Sequence, residues 1–410
     1  MRARCLPPRL VLAVVVLATT SMTAQEAPGP TIRYSNRAIL NQMWSRNRQG
    51  VGGPVRFQYA PMRLADIGTM APIGMMVGDH VTPSDHMGFG PHDFSAPSDR
   101  WEVIAPAAGV IVTVTRSRFN KGTPAAPVWY EDYLLILEHS GTMYSWIGLI
   151  NHLDSAILGR IDREIPFGGW FPVRIPVQEG QVLGRFGGNH GIDFTVIDAD
   201  VTRSGFIYPE HYDAEPWKIH VVDFFDYLDE PVRSDLLAIS RRTASPLGGK
   251  IDYDVDDRLA GNWFVEGTNW LAGVRGTPIP SATHLSLSPH HLDPTKTTVS
   301  LGDFGGQQKQ FWIVGNEPDP AVVTAADGII KYELVYASLL NGGDPFDPTP
   351  FGVQGVLLAQ LLPSASSTLF GRAGAIALAA PSRRAKFEVF PRKKAWEVDG
   401  FTPAARVYER

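Results

Sequence analysis

The chain has 410 residues, a formal net charge of −5 and only 19% charged residues. This length is enough for two domains, each with its own hydrophobic core. The weakly acidic balance excludes the basic surface that nucleic-acid-binding proteins need, so no nucleic acid is expected as a partner. The 40 glycines and 33 prolines are spread along the chain, which favours many short strands over long helices.

Residues 1–24 have the pattern of a signal peptide. Arginines precede an apolar run from Leu10 to Ala18, and small residues follow as far as Ala24. Because the run is short for a membrane span, we predict cleavage after Ala24; an uncleaved N-terminal anchor is the alternative. The single cysteine, Cys5, lies before the apolar run, so the mature chain is expected to contain no disulfide. The predicted protein is secreted or periplasmic, with no membrane attachment after cleavage.

Short strand-like runs separated by turns predict a mostly β chain with antiparallel sheets. Residues 25–75 are irregular, with one short helix predicted over Ala38–Arg46. Residues 76–240 form a first β domain, and residues 245–410 form a second β-rich domain of sandwich or barrel type. The segment His220–Leu228 is either a strand or a short helix. Strands are predicted in the first domain at Val103–Ala105, Val110–Val114, Leu134–Glu138, Met143–Leu149, Phe194–Ile197 and, around a turn, Val177–Phe186. Strands are predicted in the second domain at Lys250–Val255, Asn262–Val265, His284–Ser288, Thr297–Leu301, Ile329–Tyr336, Val353–Leu361 and Lys386–Phe390.

Three motifs follow one another inside the first domain. They read VIAPAAGV at Val103–Val110, an Ile-to-Leu stretch with two histidines at Ile136–Leu153, and VQEGQVLG at Val177–Gly184. In order and spacing, these motifs resemble the catalytic domain of lysostaphin-type (LytM-like) zinc metalloendopeptidases. The resemblance covers roughly residues 78–198 and implies a β-sheet scaffold with a metal site in a groove.

The resemblance also implies which residues form the site. It assigns the metal ligands to His86, Asp93 and Asp193. It assigns the catalytic histidines to His152 and His190. In the family, zinc polarises the substrate and activates a water molecule. The family's H-x-H-F motif stands here as Gly191-Ile192-Asp193-Phe194, so an aspartate and a glycine replace its two histidines. A second carboxylate shifts the preference towards harder ions, so the expected cofactor is zinc or another divalent metal.

Each assignment has a purely structural alternative. His86 next to Asp85 is a pair that stabilises a loop by hydrogen bonding, and His152 is a histidine that braces a turn. Asp193 stands between two apolar residues of a strand, so its carboxylate faces the opposite side and either coordinates an ion or pairs with a histidine. His190 cannot replace the missing histidine at Gly191 without a bulge, because neighbouring strand residues face opposite ways.

The altered H-x-H motif decides between the functions that the resemblance implies. We predict an exported protein with a degenerate metal site that acts at or binds the cell wall, with a wall peptide or glycan as its partner. The alternative is an active divalent-metal-dependent endopeptidase that cuts peptidoglycan peptides. A lipoyl-type carrier domain shares two of the motifs, but it needs a lysine for modification and none lies in Tyr133–Gly188.

The second half carries weaker signals. Asp252, Asp254 and Asp256 alternate along a predicted strand; they form either a solvated strand face or, less in keeping with their spacing, a calcium site. Its tryptophans, among them Trp263 and Trp270, belong either to a β core or to a surface that stacks on carbohydrate.

Overall fold

The computed structural model describes residues 50–410 except 121–122, 124, 275, 278, 340–347, 365, 372–373 and 380–382. The predicted signal peptide, residues 25–49 of the predicted irregular segment and the predicted helix Ala38–Arg46 lie outside the described residues. The described residues belong to one compact unit. The division into domains at residues 240–245 stays a prediction.

The described chain is mostly β, as predicted, and its strands pair antiparallel. The strands are β1 Ile67–Ala71, β2 Met87–Pro91, β3 Trp101–Ile104, β4 Gly109–Asn120, β5 Trp129–Glu138, β6 Met143–Ile150, β7 His152–Leu153, β8 Phe171–Val177, β9 Val182–Phe186, β10 Ile192–Asp198, β11 Gly261–Val265, β12 His284–Pro289, β13 Thr297–Leu301, β14 Lys309–Ile313, β15 Ile330–Leu339, β16 Pro348–Leu361, β17 Ser366–Gly371, β18 Gly374–Ala379, β19 Arg384–Pro391 and β20 Arg406–Glu409. The α-helices are α1 Ser155–Leu158 and α2 Val232–Ile239. Short 3₁₀ helices span Leu64–Asp66, Pro209–Tyr212, Lys218–His220, Phe224–Asp226, Trp270–Ala272, Pro280–Thr283, Val314–Asn316, Ala325–Asp327 and Ala395–Glu397. None of the helices in this part of the chain is both long and apolar enough to cross a membrane.

A seven-stranded sheet, in the order β1-β2-β10-β6-β5-β4-β8, organises the first half of the described chain. One face is buried against aromatic residues: the Phe194 ring lies 4.8 Å from that of Phe224, which in turn contacts Phe57. Alternation along the strands sends the neighbouring side chains to the other face. Trp146 of β6 pairs there with Ile136 of β5, next to Asp193 of β10. This second face is the floor of the candidate site.

The strands on either side of Pro106–Gly109 belong to different sheets. From the sequence, a tight turn at Pro106–Gly109 predicts a hairpin between its flanking strands, and Ser140–Gly141 predicts a second hairpin. Instead β3 pairs with β9 in a three-stranded sheet of order β3-β9-β7, whereas β4 pairs with β5 and β8. The hairpin prediction is therefore wrong, because the turn changes sheets. The hairpin of β5 and β6 is confirmed.

The second half is a closed barrel of eight strands, in the order β11-β12-β13-β14-β15-β16-β19-β20, with β17 and β18 as a separate hairpin. Pairing of β20 with β11 closes the barrel. This confirms the barrel among the two predicted architectures. Trp263 of β11 is fully buried inside it, as expected for a core tryptophan. The guanidinium of Arg410 lies 4.0 Å from the centre of the Trp263 ring and donates to the carbonyl of Ala260, closing that end of the barrel.

One prediction about the connecting segments is wrong, because Lys250–Val255 is not a strand. Of the two alternatives for His220–Leu228, the short helix is found, as the 3₁₀ helix Phe224–Asp226. Asp252 and Asp254 are buried rather than solvated. Asp252 accepts from the backbone N–H of Gly205 at 2.9 Å, and Asp254 accepts from that of Asn262 at 2.8 Å. These carboxylates tie the segment after β10 to the start of the barrel, so local alternation could not reveal their role.

Candidate functional site

A cavity of about 280 Å³ lies on the exposed face of the seven-stranded sheet, and we refer to it as the groove. Leu134 and Ile136 of β5 and Trp146 of β6 form its floor. One wall is the segment 79–86 that leads into β2, and the other contains residues 215–218. Leu271 and His284, from the barrel half of the chain, complete the lining. The groove is therefore built by three separate parts of the sequence.

His86 stands at the centre of a chain of polar contacts in this groove. Its Nδ1 lies 3.0 Å from Oδ1 of Asp85, and its Nε2 lies 3.8 Å from Oδ2 of Asp193. Burial lowers the pKa of His86, but the Asp193 and Asp85 carboxylates outweigh it and raise the pKa above its usual value. The ring of His80 lies 4.9 Å away, edge to face. Burial and the charge of His86 both lower the pKa of His80, so His86 is the one of the two histidines that binds a proton more readily.

Asp85 connects His86 to the opposite wall. It is buried, and it accepts a hydrogen bond from the indole N–H of Trp217 as well as the one from His86. Burial pushes the pKa of Asp85 upwards, yet the positive charge of Lys218 and these hydrogen bonds hold it well below its usual range. Asp85 is therefore ionised at any pH at which the protein is expected to fold.

Lys218 is a buried cation in the same wall. Only 4% of its surface is exposed, and its Nζ lies 3.0 Å from Oε2 of Glu215. Burial lowers the pKa of Lys218, but Glu215 and Asp85 raise it further than burial lowers it. A buried ammonium is tolerated only when it is paired in this way. The groove consequently holds alternating positive and negative groups at fixed positions.

Asp93 does not join His86 and Asp193. It is exposed, and its Oδ1 accepts from the backbone N–H and the hydroxyl of Ser95 at 2.8 and 2.6 Å. His86 precedes β2 and Asp93 follows it, so about 20 Å of extended chain separates them at roughly 3.3 Å per residue. The carboxylate that the resemblance assigns to the metal is thus at the far end of the strand.

The two predicted catalytic histidines have partners outside the groove. His152 is exposed on β7 of the three-stranded sheet, with its Nε2 3.1 Å from the hydroxyl of Ser98. His190 is buried, and its Nε2 lies 2.9 Å from Oδ1 of Asn151. It sits among the aromatic rings of Phe119, Tyr130 and Phe186. Neither histidine is among the residues that line the groove.

Gly191 shows why the family's missing histidine has no room here. A Cβ atom at this position would lie 2.3 Å from the carbonyl oxygen of Phe89 on the neighbouring strand β2. Real Cβ contacts of this kind do not occur, so any side chain requires the backbone to move. The glycine is a packing requirement of the pair of β10 and β2.

The residues present do not form a complete metal site. Among residues 50–410, within the described ranges, no group of three or more His, Cys, Asp or Glu side chains is arranged to hold a metal ion. His86 and Asp193 come together, but a catalytic zinc needs about three protein ligands. The geometry supplies a paired histidine and carboxylate.

The sequence did not predict the wall of the groove at residues 215–218 or the lining residues that come from the barrel. Glu215, Trp217, Lys218 and His284 lie outside the three motifs, and nothing in their local sequence marks them as partners of His86. Their weak signal was an alternation of charge and tryptophan in the stretch Glu215-Pro216-Trp217-Lys218. No protein-family model matches this chain, and a search of curated proteins found no match either.

Proposed function

We propose that this chain is an exported protein that binds a cell-wall peptide or glycan in the groove, on a lysostaphin-type scaffold whose metal site is degenerate. The observation that carries the proposal is the lining of the groove. Tryptophan side chains and compensated charged groups share one cavity of about 280 Å³. This composition is typical of sites that bind polar ligands with apolar faces.

The aromatic groups supply the contact area. Trp146 forms part of the floor, and the rings of Trp170 and Trp217 stand 6.1 Å apart, edge to face, on the rim. The C–H face of a sugar ring, or an aliphatic peptide side chain, packs well against an indole. Trp170 is 38% exposed and is free to cover a ligand at the entrance.

The charged groups supply the polar contacts. Glu215 and Lys218 lie on one wall, and Asp79, Asp85 and His86 lie on the other. Ammonium and carboxylate groups at fixed positions bind the hydroxyls of a glycan, or the amides and charged ends of a peptide. Because these groups are already paired and held by packing, they are pre-organised for binding.

The separated ligands favour binding over hydrolysis. Asp93 and His152 have hydrogen-bond partners elsewhere, and Gly191 leaves no space for a histidine. Loss of one water-activating group alone lowers a rate by a factor of about 10²–10⁴. The proposed protein therefore holds its ligand without cutting it.

A second candidate is the divalent-metal-dependent endopeptidase, and one observation favours it. His86 binds the carboxylate of Asp85 through Nδ1 and turns Nε2 towards Asp193. Metal-binding histidines commonly have such a carboxylate behind them. Within the described part of the chain no third ligand joins these two residues, so we place this function second.

Binding to purified peptidoglycan tests the proposal. Co-sedimentation with sacculi and calorimetry with a soluble muropeptide measure affinity for the wild type, Trp170→Ala and a control, Trp129→Ala. Trp129 is 57% exposed at the start of β5 and does not line the groove. We expect Trp170→Ala to lose about 1–2 kcal/mol of binding free energy, roughly a five- to thirtyfold weaker affinity, and the control to bind as the wild type does.

Two results contradict the proposal. One is the absence of binding by the wild type, and the other is an equal effect of both tryptophan substitutions. Chromatography of the muropeptide after incubation with the protein and zinc separates the two candidate functions. A cleavage product that disappears in His86→Ala would establish the endopeptidase instead.

A further inference from the structure

A second cavity, of about 300 Å³, lies in the mouth of the barrel and is distinct from the groove. Its walls are side chains that point inward from five strands: Leu285, Leu301, Leu357, Phe387 and Tyr408. Each of these side chains is at most 8% exposed, so the cavity is recessed within the barrel. Its size is at the lower end of the range for small-molecule sites.

The opposite end of the barrel is packed with buried side chains. Trp263 fills the interior there beneath the Arg410 guanidinium, and Val323 is buried in the same cluster. An eight-stranded barrel is just wide enough to be filled by side chains or to hold one small ligand. Here the closed half is filled and the half towards the mouth is not.

Two of the charged groups at the mouth form an ion pair, and a third, Glu388, accepts hydrogen bonds. Arg406 lies 3.8 Å from Asp303, across the entrance. Glu388 accepts from both the backbone N–H and the hydroxyl of Thr402. An ionic ligand would have to displace these partners, whereas an uncharged ligand leaves them in place.

We propose that the mouth of the barrel binds a small, uncharged and mainly apolar molecule of up to three rings. The apolar wall supplies the affinity, because a ligand that fills the cavity removes its own apolar surface from water. The rim carries two carboxylates, of Asp303 and Glu388, and one guanidinium, of Arg406, so it selects against anions. Of the residues that line this site and the groove, His284 is common to both, and the apolar wall argued here belongs to the barrel cavity alone. Failure of one proposal therefore leaves the other standing.

A pair of matched dyes tests the site in the full-length protein. N-phenyl-1-naphthylamine is uncharged and fluoresces in apolar surroundings; 8-anilino-1-naphthalenesulfonate has the same ring skeleton with an added sulfonate. We expect saturable binding of the uncharged dye, with a Kd at least tenfold lower than that of the sulfonate. Absence of saturable binding, or binding of the sulfonate as tight as that of the uncharged dye, overturns the proposal.

Two neighbouring alanines locate the bound dye. Ala404 lines the cavity and is exposed at its rim, whereas Ala405 does not line it. We expect Ala404→Trp to obstruct the mouth and weaken binding of the uncharged dye at least tenfold, and Ala405→Trp to change it less than twofold. Equal affinity in the wild type and Ala404→Trp places the dye elsewhere and overturns the proposal. Equal loss in both variants does so too, because it attributes binding to the turn at residues 402–405 instead of to the cavity.

Discussion

Replacing Asp85 by asparagine removes a buried charge from the polar chain of the groove while keeping the shape of the side chain. Asp85 accepts from His86 and Trp217, and its charge faces the buried Lys218. The amide keeps one acceptor but leaves the two cations with less compensation. Breaking a buried pair typically costs 3–5 kcal/mol, and because asparagine preserves some hydrogen bonding we expect a loss of about 3 kcal/mol in the free energy of unfolding.

The size of this loss depends on pH in a direction set by two groups. The folded-state pKa of Asp85 lies below its reference value of 3.8, so its contribution is present above that pH and disappears as the pH falls. The pKa of His86 is raised above 6.5, so its contribution is complete below that pH and disappears as the pH rises through the folded-state pKa. The gap between wild type and Asp85→Asn is therefore widest between about pH 4 and pH 6.5.

Urea denaturation at pH 5.5 and pH 8.5 measures the gap, and nuclear magnetic resonance of the imidazole protons follows the His86 titration. Asp79→Asn is the matched control, because Asp79 lines the same groove but is exposed. We expect the control to change stability by less than about 0.5 kcal/mol. A gap below about 1 kcal/mol for Asp85→Asn, together with an unchanged His86 pKa, would refute the electrostatic account of the groove.

Three further predictions concern packing, barrel closure and acid stability. Gly191→Ala should lower the free energy of unfolding by about 1–3 kcal/mol, because the added Cβ meets the Phe89 carbonyl. In the same urea titration Gly148→Ala should cost less, because the nearest contact of its Cβ is an ordinary 3.5 Å. Equal costs for the two variants would contradict the packing argument. Arg410→Met should cost about 3–5 kcal/mol of stability, because it leaves the Asp254 carboxylate buried without its ion-pair partner. Arg384→Ala, at an exposed ion pair, should cost less than about 1 kcal/mol. Thermal unfolding followed by circular dichroism measures both variants, and a loss in Arg410→Met as small as that in Arg384→Ala would disprove the role of Arg410 in closing the barrel. Burial lowers the pKa values of His139, His284 and His290 to about 4, so the stability that depends on neutral rings is present above pH 6.5 and is lost as the pH falls towards 4. The midpoint of urea denaturation should therefore decline as the pH falls over that interval, and it should decline less steeply in His290→Gln than in the wild type. An identical slope in the two proteins would contradict a contribution of the neutral His290 ring.

The strands could largely be predicted from the sequence, because their apolar alternation is local. The hairpin of β5 and β6 and six of the eight barrel strands follow this pattern, whereas β14 and β20 were not predicted. Pairing across sheets could not be predicted in the same way, since the turn Pro106–Gly109 looks the same whether or not its flanking strands pair. Burial of Asp252 and Asp254 depends on partners far along the chain, at Gly205 and Asn262.

The candidate site could be predicted only in part. The motif positions indicated His86 and Asp193, and in the structure Nε2 of His86 lies 3.8 Å from Oδ2 of Asp193. They also pointed to Asp93, but motif matching does not register that a whole strand separates it from His86. Lys218 and His284 reach the groove through long-range packing, which leaves no periodic signal in the sequence.

Metal content and ligand binding, measured together on the purified full-length protein, test the central claim most directly. Inductively coupled plasma mass spectrometry gives the metal stoichiometry of the wild type, His86→Ala and Asp193→Ala, and calorimetry with a muropeptide is run with and without a chelator. We predict substoichiometric metal in all three proteins and muropeptide binding by the wild type that the chelator leaves unchanged. One equivalent of zinc in the wild type that is lost in both variants, with binding abolished by the chelator, would contradict the account.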